Sequence, residues 1–195
     1  MDAELENLLS AARAVLAERG YDGLRVEDVL LQAGLSTRAF YRHFSGKSAL
    51  FLHLFQEESQ RAHQRLRARV DRANGPAAKV QEWITAVLDM VYDPRSTNRA
   101  RLFAGEQGSI ARRFPAEVEE LNRRQLAPLE NAIATGRAEG VFAAADADAA
   151  NDARAVQHLC FGLINDRLYA ATSLSRTEAI ALATRFALGT LTSQS

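Results

Sequence analysis

Lysine is nearly missing from this 195-residue chain: Lys47 and Lys79 stand against 22 arginines. Cysteine is scarcer still. Cys160 is alone, so no internal disulfide can form, which suits a reducing compartment. Proline occurs 4 times and glycine 11 times, whereas alanine occurs 36 times. Alanine is the best helix former and proline the worst, so a largely helical chain is expected. No stretch approaches the ~18 uncharged apolar residues that a membrane span needs, and no membrane association is expected. The first 20 residues, MDAELENLLSAARAVLAERG, mix acids into the apolar positions and do not read as a secretory leader. Net charge is also absent, with 24 basic and 24 acidic residues. That excludes a uniformly basic coat for nucleic acid but leaves room for a local basic patch.

What is present is helical spacing throughout. Leu5, Leu8, Leu9, Ala12, Val15 and Leu16 share one helical face, which Gly20 terminates. A short segment, Val26 to Ala33, ends at Gly34. Ser36 then opens a second one, Thr37 to Phe44, with its hydroxyl placed to cap the free N–H groups. After the Ser45-Gly46 turn, a long helix is expected from Lys47 to about Ala73. Val80, Trp83, Ile84, Val87, Leu88 and Val91 stripe the next helix, closed by Asp93-Pro94. Further helices are expected over Thr97 to Gln107, Ala116 to Glu139, Ala147 to Ala171 and Thr177 to Leu191. Pro128 falls inside one of them and removes a ladder bond, so a kink is expected there.

Catalytic and cofactor motifs are not found. Gly46-Lys47-Ser48 has the end of a phosphate-binding loop, but Tyr41 stands where that loop needs glycine. The four histidines form no i, i+4 pair and no HExxH, and Cys160 has no second thiolate for zinc. Asp146-Ala147-Asp148 begins like a calcium loop, yet Asn151 replaces its glycine, so a helix N-terminus is the plainer reading. No enzyme activity, cofactor or metal is expected.

Charge is unevenly spread. Residues 1–35 hold seven acids against three arginines, while residues 36–47, STRAFYRHFSGK, hold Arg38, Arg42 and Lys47 with no acid, and His43 besides. Phe40 and Phe44 lie four apart and share the inward face, leaving Thr37, Arg38, Tyr41 and Arg42 outward. Arg38 can reach guanine edges, Thr37 a thymine methyl or a phosphate, and Tyr41 a phosphate. A solvated amphipathic helix would show the same pattern. Here, however, the segment follows a short helix and the turn Ala33-Gly34-Leu35, which together make a helix-turn-helix. The expected DNA contacts are Arg25, Ser36, Thr37, Arg38, Tyr41, Arg42, His43 and Lys47.

The stretch from Leu8 to Phe55 resembles the DNA-binding domain of the tetracycline-repressor (TetR) family of bacterial regulators. Ala11-Ala12, Leu16, Gly20-Tyr21, Val26-Glu27-Asp28-Val29, Ala33-Gly34-Leu35-Ser36, Phe40-Tyr41-Arg42-His43-Phe44 and Lys47-Ser48-Ala49-Leu50 carry the resemblance. Arg25 departs from it where threonine is usual, and Leu30 where a small alanine is usual. The resemblance implies an all-α fold of about nine helices: a DNA-binding domain at 1–47 and a helical effector-binding and dimerising domain at 48–195. It also implies a cytoplasmic bacterial regulator, associated with the nucleoid when bound to DNA.

The second domain is similar to the family only generically. Its last two helices are apolar on more than one side, which a four-helix interface between two copies would explain. Leu163, Ile180, Leu182, Phe186 and Leu191 are the expected homodimer contacts. Trp83, Val87, Met90, Phe103, Phe114, Leu129, Phe161 and Asn165 are the expected lining of an effector pocket, although the same apolar residues would serve as plain core. The function expected is a ligand-responsive repressor, released from a palindromic operator on double-stranded DNA by a small apolar or amphipathic effector. The alternative is a DNA-binding protein whose helical domain docks a protein partner without a small-molecule effector.

Overall fold

The computed structural model describes residues 3–93, 107–143, 148–170 and 173–193. Among them nine helices form and no strand. In chain order they are α1 (Ala3–Arg19), α2 (Val26–Ala33), α3 (Thr37–His43), α4 (Lys47–Arg72), α5 (Pro76–Tyr92), α6 (Gln107–Arg113), α7 (Pro115–Ala138), α8 (Ala149–Tyr169) and α9 (Arg176–Thr192). The helix expected over Thr97 to Gln107 lies outside the described residues, save for its last position, where α6 begins. Among the described helices none is long and apolar enough to cross a membrane. The fold is all-α, with a helix-turn-helix domain followed by a helical domain.

The described residues divide into two compact units. One runs to Gln60 and takes in 107–115, and the other holds the remainder. The division therefore falls inside α4, downstream of the boundary at residue 47 that the motif suggests. Helix α4 gives its first turns to one unit and its later turns to the other.

In the first unit α1 packs on both α2 and α3. Its face of Leu8, Ala12, Val15 and Leu16 is buried, along with Val29 of α2, Phe40 of α3 and Leu50 of α4. Gly34 makes the reversal between α2 and α3 with φ +66°, a left-handed conformation that a side chain would strain. Its N–H and that of Leu35 return to the carbonyls at the end of α2. Ser36 then caps α3: its Oγ accepts from the Ala39 N–H at 3.3 Å.

The second unit is built around α5, which packs against both α8 and α9. Its core comprises Val80, Trp83, Ile84 and Val87 of α5, Leu129 and Ile133 of α7, Cys160 of α8 and Ala183 of α9. Burial pushes the Cys160 thiol up to about 12, so it stays protonated and unreactive. Asp89 of α5 holds Arg69 of α4 at 2.9 Å and Arg176 of α9 at 2.7 Å. Burial alone would raise the Asp89 carboxyl, yet the two guanidiniums outweigh it and hold it below the usual range.

Pro128 lies within α7, which continues through it to Ala138. Proline supplies no N–H, so the Arg124 carbonyl four residues earlier loses its helical donor. The His63 side chain, from α4, hydrogen-bonds the Arg124 backbone in its place. At the next residue, the Gln125 carbonyl accepts from Trp83 Nε1 at 2.9 Å. Two neighbouring carbonyls of α7 are thus met by side chains of α4 and α5. Beyond α7 the chain turns tightly: the Val141 and Phe142 N–H groups both reach the Gly136 carbonyl, at 2.8 and 3.0 Å. Gly136 is required there because a Cβ would stand 2.2 Å from the Phe142 ring.

Candidate nucleic-acid interface and ligand cavity

Helix α3 has one buried and one exposed face. Ala39 and Phe40 point into the first unit, and Phe44 follows them. Phe40 and Phe44 pack with tilted rings, 5.8 Å between centroids, and Phe44 meets His53 of α4 at 5.6 Å. This aromatic anchor fixes the orientation of the short helix. Thr37, Arg38 and Arg42 are left exposed, as is Tyr41 at 60%. Ser36 is exposed too, although its hydroxyl is engaged as the cap.

The other expected contacts sit around this face in differing states. Arg25 is the residue before α2. Its extended backbone (φ −119°, ψ 142°) fits a cap position, but its side chain makes no capping bond and is exposed. Arg42 pairs with Glu4 of α1, and His43 Nε2 lies 3.8 Å from the same carboxylate. Lys47 holds its ammonium 4.2 Å above the Tyr21 ring and donates to the Asp22 carbonyl at 3.4 Å. The Tyr21 hydroxyl in turn lies 3.5 Å from Ser48 Oγ, which also accepts from Arg113. Thr37, Arg38 and Tyr41 therefore stand open for contact, while Arg42 and Lys47 already have partners within the unit. Neither partnership has a signal in the sequence, since Glu4 and Arg42 are 38 residues apart.

The second unit holds a cavity of about 480 Å³ between α4, α5 and α7. Val70, Ala127, Pro128 and Ala132 form its apolar lining. Arg67, Lys79, Arg123 and Arg124 supply four permanent cations around it, against the single carboxylate of Asp71. His63, Asn131 and Thr135 complete the wall. Arg67 lies 3.5 Å from Asp71, while Arg123 and Arg124 both engage Glu120, at 2.6 Å each. Burial lowers the His63 pKa, the bond to the Arg124 backbone raises it, and the charges of Arg124 and Arg67 lower it further; the balance is downward.

None of the described residues among those expected to line an effector pocket lies on this cavity. Trp83, Val87 and Leu129 are fully buried in the core, where filling the space between helices takes their whole surface. Met90 is half-buried, Phe161 packs partly buried against that core, and Asn165 is exposed. Phe114 belongs to the first unit, and Phe103 lies outside the described residues. Of the expected dimer contacts, Leu163 and Leu191 are buried in the chain's own core. Ile180 and Leu182 are half-buried, and Phe186 is 56% exposed. Sequence reasoning missed the basic cavity. Pro128 pointed to that part of α7, but no motif marks Arg123 and Arg124 beside it.

Residues 8–54 match the family model for bacterial regulatory proteins of the tetR family. Residues 8–54 are thus similar to the DNA-binding segment of TetR-family regulators. Two curated relatives agree over the same end of the chain. The HTH-type transcriptional regulator CymR of Pseudomonas putida is 33% identical over 86 residues, 44% of this chain and 42% of that protein. The uncharacterized HTH-type transcriptional regulator YwcC of Bacillus subtilis is 35% identical over 60 residues, 31% of this chain and 27% of that protein. The matched stretches thus span less than half of either relative. In fold the likeness to known TetR-type structures runs the full length. The fatty acid degradation regulator FadR from Bacillus halodurans superposes with a TM-score of 0.78, covering 100% of this chain and 99% of that one at 17% identity.

Proposed function

We propose that this chain is a DNA-binding transcriptional regulator of the TetR type that acts as a cytoplasmic homodimer. It represses from a palindromic operator until a small effector enters the helical domain. The observation that carries the reading is α3 itself. It is fixed by an aromatic anchor and capped by Ser36, and it presents Thr37, Arg38 and Tyr41 to solvent without an opposing acid of its own. A single such helix reads few base pairs, so two copies reading two half-sites are the natural unit. Phe186 on α9, exposed beside the half-buried Leu182, supports a second copy covering that helix. Helix α4, which starts beside the reading helix and ends in the other unit, is the element through which an effector would act. The effector biases the equilibrium only by its unequal affinity for the DNA-binding and released states.

The test is selection of genomic fragments by the purified protein, followed by titration of the recovered site with wild type and two variants. Arg38→Ala should weaken the selected site by ~1–3 kcal/mol and relax preference at one position of each half-site. Lys47→Ala should weaken all sequences alike and flatten the salt dependence. Equal, sequence-independent losses from both variants would refute Arg38 as a base reader.

A further inference from the structure

We propose that the cavity between α4, α5 and α7 binds a small amphipathic organic anion. Its carboxylate or phosphate head sits among Arg67, Lys79, Arg123 and Arg124, and its short apolar body lies on Val70, Ala127, Pro128 and Ala132. This rests on the regulatory reading above and gives the effector a chemical class and a place.

Three observations carry it. First, the cavity's volume is that of a small-molecule site, which usually falls at roughly 300–1,000 Å³. Second, its charge is out of keeping with the rest of the chain. A protein with equal numbers of acids and bases has collected four permanent cations and one carboxylate here. Even with Glu120 counted beside Asp71, the cations outnumber the carboxylates four to two, and an anion relieves the repulsion that remains. Guanidinium groups are also suited to carboxylate and phosphate oxygens, which they hold through two parallel N–H donors. Third, the apolar part of the wall is made of compact groups. Pro128 presents a ring to the cavity, and Ala127 and Ala132 present small side chains beside it. Apolar surface beside clustered cations selects against inorganic ions and against neutral lipids alike.

Glu120 sharpens the assignment. Its carboxylate holds both Arg123 and Arg124, and these two charges hold it below the usual carboxylate range. It acts as an internal competitor for the head group, so an entering anion must displace it or share its arginines.

The experiment is isothermal titration of the full chain at low ionic strength with four eight-carbon probes: octanoate, octyl phosphate, octanol and octylamine. At least one of the two anions should bind, at one site per chain. Octanol and octylamine should bind roughly tenfold more weakly or not at all. The double variant Lys79→Glu with Arg124→Gln, shown by circular dichroism to keep its helix content, should lose affinity for the anion by about tenfold or more. Glu120→Gln, which removes the competitor without touching the cavity wall, should tighten binding about two- to fivefold. Comparable binding of octylamine or octanol would overturn the proposal. So would unchanged anion affinity in the double variant, or the failure of both anions to bind wild type. Operator affinity is measured separately with and without the bound anion. An anion that binds as described yet leaves operator affinity unchanged would sustain the site and refute its effector role. Failure of the chain to bind any DNA would refute the regulatory reading while leaving the calorimetry standing.

Discussion

The two units carry their chemistry in opposite ways. In the first, the candidate site is a seven-residue helix whose spacing and caps lie within a dozen positions of sequence. One face is given to the core, and the other is free for polar groups. In the second, the core takes the large apolar residues of α5, α7, α8 and α9, and the only tryptophan with them. The candidate site there forms from arginines on α4 and α7 that have no motif at all. The difference teaches that bulky apolar side chains in a helical domain serve the core first, as the full burial of Trp83, Val87 and Leu129 shows.

The sharpest way to break this comparison is to truncate Trp83. If it is core, Trp83→Ala should cost ~3–5 kcal/mol in a denaturant melt, since it leaves a cavity and removes the indole's bond to the Gln125 carbonyl. A loss below about 1 kcal/mol would mean that the indole faces open volume, and the contrast between the units would fail. Next in size is the exposed apolar position on α9. Phe186→Arg should bury an unpaired charge between two copies and, at a cost of several kcal/mol, yield monomer in light scattering. A variant that remains dimeric would place the interface elsewhere. Ser36→Ala should cost about 1 kcal/mol by leaving the Ala39 N–H without its cap. DNA affinity should fall with it, because α3 frays at the end that carries Thr37 and Arg38; unaltered affinity would show that DNA re-forms the helix end unaided.

The smallest effect concerns pH. His63 has a folded pKa below its ordinary 6.5, chiefly because burial opposes its charge. As pH falls, the unfolded chain binds the proton first, so the stability His63 contributes is complete above about 6.5 and is lost as pH falls through the lower folded value. Thermal midpoints should drop between pH 7 and pH 5, and His63→Asn, which keeps an N–H for the Arg124 carbonyl, should drop less. Identical slopes for the two proteins would show that His63 titrates as freely as in an unfolded chain.

Legibility in the sequence followed distance along the chain. Gly34 as the turn, Ser36 as the cap and the inward pair Phe40 and Phe44 were all readable, because each acts on residues three or four positions away. The start of the long helix at Lys47 and its end near residue 73 were readable for the same reason. Glu4 reaching Arg42 was not, nor was His63 replacing the donor that Pro128 withholds from Arg124, 61 positions further on. Such pairings are set by how helices cross, which periodicity within one helix does not encode. The cavity belongs to this second kind. Pro128 drew attention to that stretch of α7, but only the fold brings Arg67 and Lys79 to it.

The two lysines give this division a practical consequence. One lies over Tyr21 at the edge of the helix-turn-helix, and the other lines the basic cavity. Apart from the α-amino group, an amine-selective acylating reagent therefore has two targets in 195 residues, one at each candidate site. Peptide masses distinguish the two adducts, so one labelled sample, quenched over time, reports protection by DNA at Lys47 and by an organic anion at Lys79. A lysine-rich relative would blur that record with surface labelling. Here the protein's arginine bias makes its own chemistry a two-channel footprint.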